Sequence, residues 1–237
     1  MDRAPPRIFD RRRAAAKWQR ARDRGAEHYL TRAIADDIAE RIAFMQLDPA
    51  RSLVIGADAA TVPATDHAAL GVFDEEVPIA ESGFDLIVHL LGLGTVNDLP
   101  GALIHFRRAL AEDGVFIAAF PGAGSVPVLR RLALAADADR PAARIHPQVD
   151  IRAGTALLER AGFRKQVVDS YPLKVRFSSA LQQSKIVFCL PQDKSWILLY
   201  LVHTSPVIES VVKEKHLRPD RKHHLFAVPL CVVHCCL

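Results

Sequence analysis

Three short apolar runs limit what this chain can become. Residues 51–56 (RSLVIG), 84–91 (FDLIVHLL) and 115–120 (VFIAAF) are rich in Val, Ile, Leu and Phe. They are short for buried helices and do not alternate polar with apolar. Each therefore reads as a strand covered on both faces. Helical sequence lies around them. Residues 11–46 are dominated by Ala, Arg, Glu and Ile, with Ile34, Ile38, Ile42 and Met45 at helical spacing, and Pro49 ends the stretch. Asn97 and Asp98 supply an N-cap, Pro100 falls in the first turn, and residues 102–110 continue as a helix that Asp113-Gly114 closes. A further helix over 153–161 ends at Gly162, and 166–171 and 175–177 suit two terminal strands. This alternation predicts an α/β fold, a Rossmann-like and mostly parallel sheet with helices on both faces. Ligands of such sheets bind beyond the carboxyl ends of the strands, near the topological switch point.

Composition divides the chain near residue 180. Residues 1–180 hold all 12 glycines, 34 alanines, 21 arginines and 3 lysines. The remaining 57 residues hold no glycine, one alanine, two arginines, five lysines and all four cysteines. At ordinary usage about four glycines belong in a stretch of that length. The expected organisation is an N-terminal basic helical segment (1–46), an α/β domain (47–180) and a compositionally foreign tail (181–237). A change of reading frame, a junction or a second domain of different ancestry each accounts for such a tail.

Half the chain is hydrophobic and 24% is charged, which excludes wholesale disorder. The longest uninterrupted apolar run, 196–202, has seven residues, so no membrane-spanning helix is expected. The N-terminus lacks the apolar core of a signal peptide, and a cytoplasmic location is the expectation. Residues 1–24 carry nine Arg or Lys against three Asp, a basic face suited to an acidic partner, a nucleotide or a nucleic acid, or simply solvated.

Four segments resemble class I S-adenosylmethionine-dependent methyltransferases. They are residues 7–21 (RIFDRRRAAAKWQRA), 73–88 (FDEEVPIAESGFDLIV), 96–120 (VNDLPGALIHFRRALAEDGVFIAAF) and 157–173 (LLERAGFRKQVVDSYPL). The similar branch holds the malonyl-acyl-carrier-protein methyltransferase of biotin synthesis and a complex I assembly factor that hydroxylates an arginine. The "IFDR" opening and "VNDLPGAL" are its most specific pieces, and the likeness spans roughly residues 7–177. It implies a class I methyltransferase fold, here truncated or altered at the C-terminus, and S-adenosylmethionine as cofactor. It also implies an acceptor such as an acyl-carrier carboxylate, a protein side chain or a respiratory-complex subunit, with nucleic acid not expected as a partner. The cofactor-binding positions it assigns are Gly56, Ala57, Asp58, Asp74, Glu75 and Leu91. No catalytic residue is assigned.

The departures from the family pattern fall on chemistry. The family's first motif is Asp-Leu-Gly-x-Gly-x-Gly, whose glycines let backbone approach the cofactor. Here residues 54–60 read VIGADAA, keeping Gly56 and placing Val54 at the acid position. Only 27 residues separate Gly56 from Phe84, with no clear strand–helix pair and no acid at the expected ribose position. Asp74, Glu75 and Glu76 match the acidic motif near the family's adenine end; away from that resemblance, three acids in a loop are usually solvated. Many relatives have His-Trp where this chain has Gly94-Thr95, and Gly92 and Gly94 are expected to loosen the turn. His89 reads as a core histidine rather than a general base. The alternative function is an inactive pseudo-methyltransferase acting as scaffold or assembly factor. His223, His224, Cys231, His234, Cys235 and Cys236 lack paired zinc-ligand spacing, so no metal is expected.

Overall fold

The computed structural model describes residues 7–23, 29–56, 62, 64–125, 127–136, 147–177 and 224–236. Ala57, Asp58, His223 and the apolar run 196–202 lie outside them. Five helices are described: α1 (Arg11–Asp23), α2 (Tyr29–Phe44), α3 (Leu99–Ala109), α4 (Pro127–Ala136) and α5 (Ile151–Ala161). Six strands, β1 (Ser52–Ile55), β2 (Asp66–Ala68), β3 (Phe84–Leu90), β4 (Leu110–Pro121), β5 (Arg164–Phe177) and β6 (His224–Cys236), form one sheet in the order β2-β1-β3-β4-β6-β5. The β2, β1, β3 and β4 ladders are parallel, while β6 runs antiparallel to both β4 and β5.

Side-chain alternation sorts the layers. Ile55, His89 and Ala118 are paired in register, as are Leu53, Ile87 and Phe116, so these residues share one face. That face is covered by α3 and α5. Phe106 of α3 stacks on Phe116 at 5.0 Å, Phe116 stacks on Phe163 at 5.6 Å, and Val168 of β5 faces Gly154 of α5. The next residue, Asp169, points the other way and meets Arg41 of α2 at 3.0 Å. Helices therefore cover both faces, and β1, β3 and β4 are buried through their apolar stretches.

Local chemistry sets the helix ends. Asp98 caps α3, accepting from the Gly101 amide at 3.0 Å, and Asp150 caps α5, accepting from Ala153 at 2.7 Å. Each cap contributes about 1 kcal/mol. Gly162 ends α5 in the left-handed conformation (φ 88°), which an L side chain resists.

The structure differs from the sequence expectation in four places. The 11–46 stretch contains two described helices, α1 and α2, rather than one. α3 stops at Ala109, not at Asp113-Gly114, because Leu110 already pairs with Phe84 and the register then shifts before Leu86 meets Val115. Gly114 serves that irregularity: a Cβ there would lie 2.7 Å from the Phe84 carbonyl oxygen. Between Gly56 and Phe84 a strand does form, the three-residue β2, anchored where the Ser52 and Thr65 side chains each bond the other's backbone amide. The two terminal strands are one, β5, whose partner β6 comes from the tail that composition set apart.

Candidate functional site

The sheet order places the switch point between β1 and β3: from β1 the chain moves outward to β2, then crosses back to β3. At the carboxyl end of β1, Gly56 has φ 154°, and a Cβ on it would lie 2.7 Å from Leu90 Cβ, so this glycine is sterically required. At the carboxyl end of β3, Leu91 is held at φ 70°, with its amide bonded to the Ala119 carbonyl at 2.7 Å. A leucine in the left-handed region is strained, and such strain persists where the surroundings over-determine the backbone. Both residues thus flank the crevice in which ligands of open α/β sheets bind.

The acidic motif divides its labour. Asp74 is exposed and accepts from the Glu76 amide at 3.1 Å, with Arg11 3.4 Å away. Glu75 is 2% exposed, bonded to Arg11 on one side and to His89 Nε2 at 3.1 Å on the other. Burial alone would push its carboxyl up; the His89 hydrogen bond and charge, then Arg11, outweigh burial and hold it at about 2. Glu76 accepts the Asn97 amide at 2.8 Å. His89 is fully buried, edge-on to Phe106 at 5.6 Å, and its Nδ1 has no hydrogen-bond partner among the described residues. The core reading of His89 fits this placement, although the sequence did not reveal its carboxylate partner.

Asn97 joins the "IFDR" segment to the site. Its Oδ1 accepts the amides of Ile8 and Phe9 at 2.7 and 2.8 Å, and its Nδ2 donates to the Phe9 carbonyl at 3.1 Å. The two segments that resemble the family most specifically are therefore stitched together in space, and Glu76 ties the acidic motif to them. Gly92 is packed rather than loose, correcting the sequence expectation: a Cβ there would lie 2.5 Å from His89 Cε1 and 2.7 Å from Leu70 Cδ2. Between α1 and the body lies a cavity of about 210 Å³, bordered by Ala15 and Trp18 on one side and Leu70, Phe73 and Gly92 on the other. A second cavity, about 260 Å³, lies beyond the carboxyl end of β4 beside Gly122, Asp150 and Ser170.

Among the described residues, two features of a nucleotide site are missing. Val54, at the motif's acid position, is fully buried, and its register with Val88 turns it away from the face that carries His89. The carboxyl end of β2 leads into Ala69 and Leu70, whereas the strand's one acid, Asp66, stands at its start.

No family model matches the chain. It is 34% identical over 138 residues to arginine-hydroxylase NDUFAF5, mitochondrial, of Homo sapiens, covering 56% of this chain and 39% of that protein. The Danio rerio protein of the same name is 35% identical over 113 residues, covering 46% and 35%. RP459 of Rickettsia prowazekii, which bears the name of a methyltransferase, is 31% identical over 111 residues, covering 46% and 49%. The chain thus spans between about a third and a half of the length of these curated relatives. In structure it is similar to BH2331 of Bacillus halodurans, also named as a methyltransferase. The TM-score is 0.50 at 14% identity, over 84% of this chain and 97% of the other. The fold is the class I methyltransferase fold. By sequence the chain is similar to NDUFAF5 and RP459 over these stretches.

Proposed function

We propose that this chain binds S-adenosylmethionine in the crevice beyond β1 and β3 and acts as a methyltransferase on an acceptor still to be found. The observation that carries the reading is the paired backbone geometry at the switch point, Gly56 and Leu91 both at positive φ. Gly92 supports it by holding the turn after β3 tightly against His89, Leu70 and Glu75, which fixes the wall beside Leu91. When bound, the cofactor supplies an activated methyl group. The chain's own part is to orient and to exclude water, which is most of what in-line methyl transfer requires. Gly56 and Leu91 line the approach, Asp74 stands exposed at the rim, and Glu75 fixes the wall around it; Ala57 and Asp58 complete the assigned set.

The acceptor classes suggested by the resemblance are an acyl-carrier carboxylate and a protein side chain. A respiratory-complex subunit belongs to the second class, and the arginine-hydroxylase name of NDUFAF5 points the same way.

A second reading, a methyltransferase fold kept as a scaffold, is favoured by the buried Val54 and by the acid-free end of β2. Calorimetric titration of the full chain with S-adenosylmethionine and S-adenosylhomocysteine separates the two. Micromolar affinity, about −8 kcal/mol, supports the cofactor reading. Absence of binding by a sample that unfolds cooperatively overturns it in favour of the scaffold.

A further inference from the structure

We infer that the surface beyond the carboxyl end of β4, beside the 260 Å³ cavity, docks an acidic protein segment through Arg130 and Arg131 of α4 and Arg152 of α5. The inference rests on the cofactor reading above only in taking this partner to be the methyl acceptor.

The backbone brings these arginines to one edge. β4 ends at Pro121, and in the turn that follows the Ser125 amide and hydroxyl both donate to the Gly122 carbonyl, at 3.1 and 2.7 Å. α4 begins at Pro127. The Ala123 amide donates to the Val149 carbonyl at 2.9 Å, which ties the same turn to the segment entering α5. The first turns of α4 and α5 are thus gathered at the end of β4, the neighbour of β3 and its crevice.

Arg130, Arg131 and Arg152 are exposed and have no ion-pair partner among the described residues. Asp150 is the one acid that lines the cavity, and its carboxylate is taken up in capping α5. Positive charge left uncompensated in this way is complementary to an acidic partner. Arg152 borders the cavity, whereas Arg130 and Arg131 lie outside its lining. A molecule small enough to sit inside leaves those two unused, so a partner that meets all three is larger than the cavity.

Apolar side chains sit among the cations and argue for a protein. Leu134, one turn along the same face of α4, is 58% exposed, and Ile151, next to Arg152, is 45% exposed. Arginine mixed with apolar side chains is the composition that protein interfaces favour. A nucleic-acid backbone is held by polar and charged groups, to which Leu134 and Ile151 add nothing.

The test uses the full chain and a fluorescein-labelled amphipathic peptide of Glu, Ala and Leu as probe, followed by anisotropy. Arg130→Glu combined with Arg131→Glu, and separately Arg152→Glu, are each expected to weaken peptide binding about tenfold at low ionic strength, the difference shrinking as salt is added. All three positions are exposed, so the urea midpoints should stay close to that of the unaltered chain. Arg108→Glu makes the same change of charge at the end of α3, next to the start of β4, and should leave binding as it is. An equal loss with Arg108→Glu would overturn the inference, since net charge alone would then attract the peptide. Failure of the unaltered chain to bind the peptide would overturn it as well. So would a polythymidine oligonucleotide that displaces the peptide and depends on the same three arginines, by making the partner a nucleic acid. Calorimetry with S-adenosylhomocysteine separates this inference from the cofactor reading. A chain that holds the peptide through these arginines and ignores S-adenosylhomocysteine keeps the docking surface, while the acceptor role of the partner falls.

Discussion

Glu75 shows how much one residue can carry that a motif does not reveal. Its carboxyl, held at about 2, is ionised in the folded state well below the pH at which an unfolded glutamate takes up a proton. Ionised Glu75 therefore stabilises the fold fully above about pH 4.5, and that contribution is lost as the pH falls toward 2. The contribution is on the order of 3 kcal/mol. Glu75→Gln should lower stability at pH 7 by a similar amount and flatten the stability curve between pH 4.5 and 2. Urea unfolding at pH 7, 4 and 3 measures this, and equal slopes in the two proteins would refute the pairing. An acid in a charged loop ordinarily reads as solvated, and for Asp74 that holds. The sequence of residues 74–76 contains nothing that separates Glu75 from its neighbours, because its partners lie 64 residues back and 14 residues ahead.

Between elements, the polar contact from α2 to β5 deserves a parallel test. Arg41 donates to Asp37 at 2.8 Å and reaches Asp169 at 3.0 Å, and Tyr171 adds its hydroxyl to Asp37. Burial, then the charge and hydrogen bond of Asp37, push the Tyr171 hydroxyl up to about 12. Its contribution is thus present below about pH 10 and lost as the pH rises through 12. Tyr171→Phe should cost about 1 kcal/mol at pH 7, read as a shift of the urea midpoint without a change in slope. A neutral substitution would mean that Arg41 alone holds the contact. Elements of this kind were legible to different degrees. β1, β3 and β4 announced themselves because strands buried on both faces carry unbroken apolar runs. The N-cap of α3 and the Gly162 terminus were readable because they depend on chemistry within a few residues. β2 was missed, since three residues reading Asp-His-Ala carry no strand signal and owe their pairing to β1.

For the molecule as a whole, the least legible feature was β6. Its sequence contains Pro229, which argues against a central strand, and the composition of the tail argues against membership of the same fold. The register resolves the first point: β4 pairs with β6 only from Leu230 onward, so Pro229 faces Pro172 of β5 beyond the end of β4, where a missing donor matters little. Removing residues 178–237 should therefore do more than trim the chain. It takes away the strand between β4 and β5 and is expected to abolish cooperative unfolding. A truncated protein with a sharp two-state transition would show that β5 can close the sheet on β4 by itself. The place of β6 in the sheet was not readable at all, because its pairing with β4 joins residues more than a hundred positions apart.

The position of β6 also governs what a ribosome must deal with. β4 is complete at Pro121, yet the strand that covers its flank ends at Cys236. At ordinary translation speeds the nascent sheet carries an open seam along β4 for on the order of ten seconds. During that interval any extended apolar segment, whether from this chain or a neighbour on the same message, competes for the seam that β6 will occupy. Chaperone demand during synthesis is thus written into the order of the strands, apart from how stable the finished sheet becomes.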